Sequence, residues 1–524
     1  MEKNPPPGKL RGSVFNTVLI SSGLGLSKIL GFIRETVIAG FFGASYLVDA
    51  YLVAQMVPQV LFSIIGSSLT TSVIPLVTEY KEKKGFDSVL ALLNSITTIM
   101  LIISLVLVLL GWAFSGVIVH LVAPGFSGPA YELAVQLTNL MFPMIIFFGL
   151  AGLGSGILQS QKRFFFPSFM GIPYNIVIIA ALIISARQWG IAGLAVGTVV
   201  AVAVQWLFQV PDLRRCGFIF RPRIDWQHPG LKQMLKLIIP VAIGTGVGQI
   251  NLLVNRMLAS GLAEGSIAAL NYANKLNVLA YGVVGMAVAR AIYPEMSAAA
   301  VVADHDKFQK SLYRSINSLL LLLLPFAVGM MILREPLVRL VYQRGAFDET
   351  AAHLTVIALL FYAIGMPFLS VREIVLRAFY SLQDTLTPMK IGLATVALNV
   401  GLNLVLVKYL AHGGLALGNS IATMVGFVIL LWYLRKKLGR IKVSLMLISG
   451  LKIGLAAVLM GGVVYVELQW LVSSLGVGTL SFLIALLLCA GTGLIVYGLL
   501  IKMLQVEEFD IIYEKVRERW SRKG

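Results

Sequence analysis

Residues 21–49 read SSGLGLSKILGFIRETVIAGFFGASYLVD. The stretch is apolar enough to cross a bilayer, yet Lys28, Arg34 and Glu35 lie inside it. Each such charge costs about 2.5–3.5 kcal/mol at a helix centre on insertion scales. A chain keeps that cost where the charges face a water-filled cavity or one another. On a helix, Lys28 and Glu35 are seven residues apart and share a face, and Arg34 lies roughly 9 Å along the axis from Lys28. Two cations stacked along one span suit an anionic group that has to cross. The other reading is a snorkelling Lys28 beside an Arg34–Glu35 pair that only locks helices together.

Working outward, the 524-residue chain is 58% hydrophobic and 13% charged, with a mean hydropathy of +0.87. That composition belongs to an all-α polytopic membrane protein. The net charge is +18, but the basic residues sit in short loops and in the tail. This pattern sets topology and meets anionic membrane lipids, and it does not call for nucleic acid. The opening MEKNPPPGKLRGS reads as a polar, Pro-rich lead-in, because the apolar run after it is too long for a signal peptide. Cys216 and Cys489 have no neighbouring ligands and suggest neither a metal site nor a disulfide framework.

Apolar segments of spanning length recur near residues 14–40, 47–77, 89–121, 131–158, 166–186 and 190–211. After the basic stretch Arg214–Gln227 they resume near 232–259, 267–294, 311–342, 352–381, 386–409, 413–434, 445–469 and 477–504. The expectation is therefore fourteen transmembrane helices. In that count Lys9 and Arg11, Lys81 to Lys84, Lys162 and Arg163, Arg214 to Arg223, Lys307 and Lys310, Lys390, and Arg435 to Arg440 fall on one side. The positive-inside rule then makes both termini cytoplasmic. The loop LREPLVRLVYQRGAFDET disagrees, since Arg334, Arg339 and Arg344 fall outside. It is either a half-buried helix end or a place where the count slips.

The chain also repeats itself. Gly66 and Pro75 recur as Gly285 and Pro294, 219 residues later, and Ser160, Pro167 and Gly171 recur as Ser381, Pro388 and Gly392, 221 later. GLAVG at Gly193–Gly197 recurs as GLALG at Gly414–Gly418, again after 221. Residues 1–220 and 221–440 thus read as two copies of a six-span unit, inserted in the same orientation because six is even. Residues 441–504 add two spans outside the repeat. Residues 505–524 place Phe509, Ile512, Tyr513 and Val516 at helical spacing against basic residues, which reads as an amphipathic helix on the anionic cytoplasmic surface or as a solvated, frayed one.

The chemistry has to come from the embedded charges. They are Lys28, Arg34, Glu35 and Asp49 in the first half, and Arg256, Lys275, Arg290, Arg372, Glu373 and Arg377 in the second. Cations outnumber acids, which suits an anion carrier; a proton relay or cation channel wants the reverse. Arg holds a phosphate bidentately and Lys as a point charge. Arg256 and Arg290 read better as snorkelling residues near the interface. Asn399 and Asn403 lie one turn apart on the eleventh expected span. They form a candidate cation site, set against the commoner use of membrane Asn in interhelical hydrogen bonds. The five histidines are scattered, with no acidic pair beside any of them. Neither a catalytic nor a metal-ligating set is visible, and there is no Walker motif, so the chain does not read as an enzyme or an ATPase. The remaining energy sources are Na+ or H+ coupling and the membrane potential.

The segments SKILGFIRETVIAGFFGASYLVDAYLVAQMVP, VIPLVTEYK, LVAPGF, QKRFFFP and FYSLQDTLTP resemble the MurJ (MviN) lipid II flippase family of the multidrug/oligosaccharidyl-lipid/polysaccharide exporter superfamily. The resemblance covers about residues 14–440, with the two extra spans also in place. It implies two six-helix lobes around a central cationic cavity and a groove for the lipid tail by the last two helices. It further implies outward movement of undecaprenyl-pyrophosphate-linked disaccharide-pentapeptide, lipid II, for peptidoglycan synthesis, with the cell-wall machinery as a partner class. By position, Lys28 and Lys275 stand where the family has arginines, Arg34 and Glu35 match an arginine and its acidic neighbour, and Asp49 matches an aspartate of the second helix. These five are the substrate-binding candidates. There are departures. Phe62 replaces a second-helix arginine, and Ser67 and Leu382 replace a glutamate and an arginine that form a gating ion pair in the family. An exporter of another polyprenyl-linked glycan, a drug or ion antiporter, and a membrane enzyme or scaffold of wall synthesis remain as alternatives.

Overall fold

The computed structural model describes residues 7–282, 305–439, 443–476, 478–506 and 508–509. Every regular element among them is a helix. In chain order these are α1 Pro7–Phe42, α2 Tyr46–Lys84, α3 Phe86–Ala113, α4 Ser115–Val122, α5 Gly128–Met141, α6 Met144–Ser160, α7 Phe165–Phe169, α8 Gly171–Leu207, α9 Val210–Arg215 and α10 Pro229–Ser260. They continue with α11, residues 266–282, then α12 His305–Ile332, α13 Arg334–Tyr342, α14 Glu349–Ser381, α15 Leu386–Leu438, α16 Val443–Leu475 and α17 Thr479–Met503.

Among the described residues ten helices are long and apolar enough to cross a membrane, or eleven if α5 and α6, bent by 43° at their junction, make one span. The expectation of fourteen parts from this at named places. The expected spans 386–409 and 413–434 are the two limbs of α15, which breaks at Ala411 and counts once among the ten. α1, with three charges between Lys28 and Glu35, is not among the ten. The expected span 267–294 runs beyond residue 282 onto residues outside the described ones, Arg290 included.

The chain packs as two compact units, Met1–Ile267 and Ala268–Gly524. In the first, α10 joins α2 and α3. Leu231 and Met234 enter one apolar cluster with Tyr80, Val89, Leu92 and Leu93, and Gln233 donates to Glu79 at 2.8 Å. The basic segment before α10 runs along α3, where Asn94 and Thr98 accept from the Arg221 and Arg223 backbone N–H groups. The sequence repeat divides the chain near residue 220 and the packing divides it at 267, because α10 is the next copy's first helix yet buries its face on α2 and α3.

Close backbone approach explains the small residues. α6 lies on α2 through Gly152, where a Cβ would stand 3.0 Å from the Gly66 carbonyl oxygen, and through Gly156, 3.2 Å from Thr70. Thr70 donates across this contact to the Gly152 carbonyl at 2.8 Å. Without a hydrophobic drive between helices in lipid, such small-residue packing and interhelical hydrogen bonds hold the pair.

The 221-residue offset is also written in the backbone. Lys162 (φ 60°) and Gln383 (φ 56°) both adopt positive φ in the turns that follow Ser160 and Ser381. Gly190 (φ 54°) and Ala411 (φ 48°) break α8 and α15 at matching points. Each break folds two limbs back against each other, and the GLAVG and GLALG runs supply the contact. A Cβ on Gly197 would lie 2.3 Å from that of Ala181, and one on Gly418 would lie 2.1 Å from Asn403 Oδ1. Gly418→Ala is therefore expected to lower thermal stability in detergent, by about 1–3 kcal/mol. Gly401→Ala on the facing limb meets nothing within 4 Å and should leave stability unchanged or raise it by up to about 1 kcal/mol. Equal melting shifts for the two would overturn this reading of the contact.

Ion pairs pin the loops that carry the repeat. Arg163 meets Asp212 at 2.5 Å and Lys437 meets Asp384 at 2.7 Å. Arg163 and Asp384 are themselves 221 apart, so the two units use the clasp with opposite polarity. The Lys437 ammonium, with the Thr387 donors, holds the Asp384 carboxyl down to about 2. The loop that broke the charge rule is a helix end. α13 is a short amphipathic helix on which Arg339 is held by Glu335 at 2.9 Å and by Glu349. Arg344 caps the carbonyls of Leu340 and Val341 at 2.9 and 2.8 Å. Both cations find their partners within α13, the turn after it and the start of α14.

In the second unit α16 and α17 pack on α12 around Leu321, Ile453, Met460 and Ile501. The start of the tail is tucked in: Val506 and Glu508 are buried, and Asn317 donates to Glu508 at 2.7 Å. The rest of the expected amphipathic tail lies outside the described residues.

Candidate functional site

α1 meets α7 and α8 along a stripe of small residues, Gly23, Ser27 and Gly31. A Cβ on Gly23 would stand 2.7 Å from the Ser168 carbonyl oxygen, and one on Gly171 would meet Ser27 Oγ at 2.7 Å. One turn beyond the stripe sits Arg34, its side chain 14% exposed. Its Nη2 donates to Glu35 Oε1 at 2.6 Å and its Nη1 to Asn175 Oδ1 at 3.1 Å. Consecutive helix residues do not face each other, so this pair closes only because the long Arg34 side chain folds back along the helix. The guanidinium also lies over the Tyr174 ring, 5.4 Å from its centroid. Nearby on α2 and α8, Tyr51 and Thr198 share a buried hydrogen bond of 2.9 Å.

The other candidates fall in different places. Lys28 is exposed on α1, the same helix as Arg34. Asp49 is buried in the first turn of α2 and accepts from the Gly265 backbone N–H at 2.8 Å. Beside it, Glu264 accepts from the Tyr46 N–H at 3.0 Å. The two acids tie the start of α2 to the turn after α10, where Gly265 (φ 80°) would place a Cβ 2.1 Å from the Ala44 carbonyl oxygen. Arg256 reaches the Ile267 carbonyl at 3.4 Å. In the second unit Lys275 is half-buried on α11. Asn399 and Asn403 are buried, and the Asn403 amide donates to Asn399 Oδ1 at 3.0 Å. Among the described residues no group of three His, Cys, Asp or Glu could hold a metal.

Sequence reasoning singled out Arg34 and Glu35 but not Asn175, Tyr174, Tyr51 or Thr198. The available signal was Asn175 itself, an amide inside the otherwise apolar run that opens α8.

A cationic side chain held inside an all-helical, internally repeated membrane bundle narrows the comparisons. Residues 38–486 match the profile of the family described as "Lipid II flippase MurJ". The chain belongs to the MurJ lipid II flippase family. It is 31% identical over 435 residues to the lipid II flippase MurJ of Burkholderia cenocepacia, covering 81% of this chain and 84% of that protein. A probable lipid II flippase MurJ of Vibrio cholerae is 28% identical over 79% of this chain and 81% of its own length. A solved MurJ structure in an inward closed conformation superposes with a TM-score of 0.79 at 26% identity, covering 93% of this chain and 99% of that one. An inward-facing multidrug transporter of the MATE family shares the fold, with a TM-score of 0.67 at 16% identity.

Against other MurJ family members, the departures have visible consequences. Phe62 stacks on Phe148 with ring centroids 4.4 Å apart, so an aromatic pair fills the α2–α6 contact where the resemblance leads one to expect an arginine. Ser67 bonds back to the Ser63 carbonyl of its own helix. Leu382 ends α14, its N–H taken by the Ala378 and Phe379 carbonyls. Neither position carries a charge that could join an ion pair.

Proposed function

We propose that this chain is a lipid II flippase, moving undecaprenyl-pyrophosphate-linked peptidoglycan precursor from the cytoplasmic to the outer leaflet of the bacterial cell membrane by alternating access. Arg34 carries the reading: a guanidinium fixed inside the membrane-spanning bundle by Glu35 and Asn175, in a chain of the MurJ family. Lys28 on the same helix supplies a second cation that a pyrophosphate meets on its way. Asp49, which orders the α2 entry through the Gly265 N–H, and Lys275 complete the set of substrate-binding candidates. The one-sided basic loops support a topology with both termini in the cytoplasm. Expression of this chain in cells depleted of their own lipid II flippase tests the proposal. Restored growth and outer-leaflet lipid II support it; insertion without rescue removes lipid II as the cargo. The uncharged Ser67 and Leu382 favour a second reading, export of another polyprenyl-pyrophosphate glycan, and that outcome selects it.

Lys28→Arg should be tolerated, with transport within about two-fold of the parent, because the charge is kept and Arg adds bidentate geometry. A dead Lys28→Arg chain at normal expression would show that the ammonium itself, and not the charge, contacts the cargo.

A further inference from the structure

Asn175 is 4% exposed and holds three partners at once. Its Nδ2 donates to the Gly171 carbonyl at 2.7 Å and to the Ser27 carbonyl at 3.2 Å. Its Oδ1 accepts from Arg34 Nη1 at 3.1 Å. With two carbonyls on one side and a guanidinium on the other, only one orientation of the amide satisfies every partner. An aspartate would turn a carboxylate onto two carbonyl oxygens, and a leucine would offer no acceptor. The guanidinium is a rigid planar fork. Glu35 takes one of its terminal nitrogens and Asn175 the other, so Asn175 sets the plane in which the fork lies. Glu35 holds the Nη2 edge and the Tyr174 ring centroid lies 5.4 Å from the guanidinium carbon, and Asn175 adds the hold on the Nη1 edge.

We propose that Asn175 is the positioning residue of the anion site: through its bond to Nη1 it holds the Arg34 fork for bidentate contact with a phosphoryl group of the cargo. The inference rests on the lipid II reading. A residue that acts only by packing α1 on α8 affects binding whether or not Arg34 is present. A residue that acts through Arg34 affects binding only when Arg34 is there.

The test is a double-mutant cycle on the purified full-length chain in detergent, with lipid II as the probe. Asn175→Leu keeps the volume, and Asn175→Ser serves if the leucine variant does not fold. Asn175→Leu is expected to raise the dissociation constant about ten-fold, the loss of one hydrogen bond to a charged group. In an Arg34→Ala background it should raise it less than two-fold further. Ten-fold losses in both backgrounds, or no loss in either, overturn the inference. Modification of Arg34 by phenylglyoxal, read by mass spectrometry without any cargo, is the second arm. The Asn175 variants should react several-fold faster at Arg34 and at the parent rate at the exposed Arg163. If the parent chain has no affinity for lipid II, the cargo reading fails, and the labelling arm alone decides the positioning role: an unchanged Arg34 rate sinks it.

Discussion

Arg34→Ala is expected to lower lipid II translocation at least 100-fold while the chain still inserts. Truncating one partner of a buried, hydrogen-bonded charge pair costs about 2–5 kcal/mol of binding, and each 1.4 kcal/mol is ten-fold. The single variant is not clean, however. Glu35, with a side chain only 7% exposed, would be left as a buried carboxylate without its guanidinium, which destabilises by about 3–5 kcal/mol. Loss of transport could then be loss of fold. Arg34→Ala with Glu35→Ala separates the two. Removing both charges should recover part of the melting temperature that the single variant loses, because no buried carboxylate is left without its cation. Transport should stay lost, because nothing holds the pyrophosphate. If the double variant recovers both stability and translocation, Arg34 and Glu35 serve only to lock α1 to α8, and the anion-site reading falls. Translocation is followed as outer-leaflet lipid II, with the amount of inserted protein measured alongside.

The sequence exposes the fold because its signals are repeated and physical. Spanning apolar runs, one-sided basic loops and three blocks at offsets of 219 and 221 together define a helical membrane bundle built twice. The glycine runs 193–197 and 414–418 were legible as a repeat, but their purpose was not: the packing of Gly418 against Asn403 depends on the break at Ala411, and nothing about an alanine announces a positive φ. The two limbs on either side of that break coincide with the expected spans 386–409 and 413–434. At the site, charge in an apolar run pointed to Arg34 and Glu35. Partner choice was invisible, because Asn175 lies 141 residues from Arg34 and only tertiary packing brings the two together. Asp49 is a further case: its charge was legible, but the backbone N–H that it accepts from the turn at Gly265 is an interaction that no local pattern encodes.

Collapse of the membrane potential is expected to stop net outward movement of the cargo with ATP held constant. Moving one charge through the potential is worth about 2.3 kcal/mol per 100 mV. A pyrophosphate with roughly two negative charges therefore gains about 4–5 kcal/mol on leaving an inside-negative cell at that potential, a shift of about a thousand-fold in the leaflet ratio. On the proposed reading Arg34 and Lys28 offset part of that charge only while the cargo is bound, so release to the outer leaflet still moves the full anion. The sequence carries no Walker motif, which makes the potential the first energy source to test. The measurement is outer-leaflet lipid II in cells or vesicles treated with a potassium ionophore at matched potassium. A second series replaces Na+ with choline, and a third removes the proton gradient. We propose potential-driven transport; a response to Na+ alone would move the coupling to an ion site, with the buried Asn399–Asn403 pair as the first place to substitute. Exposure of lipid II that is unchanged in all three series would show that the chain scrambles its cargo passively or draws energy from a partner.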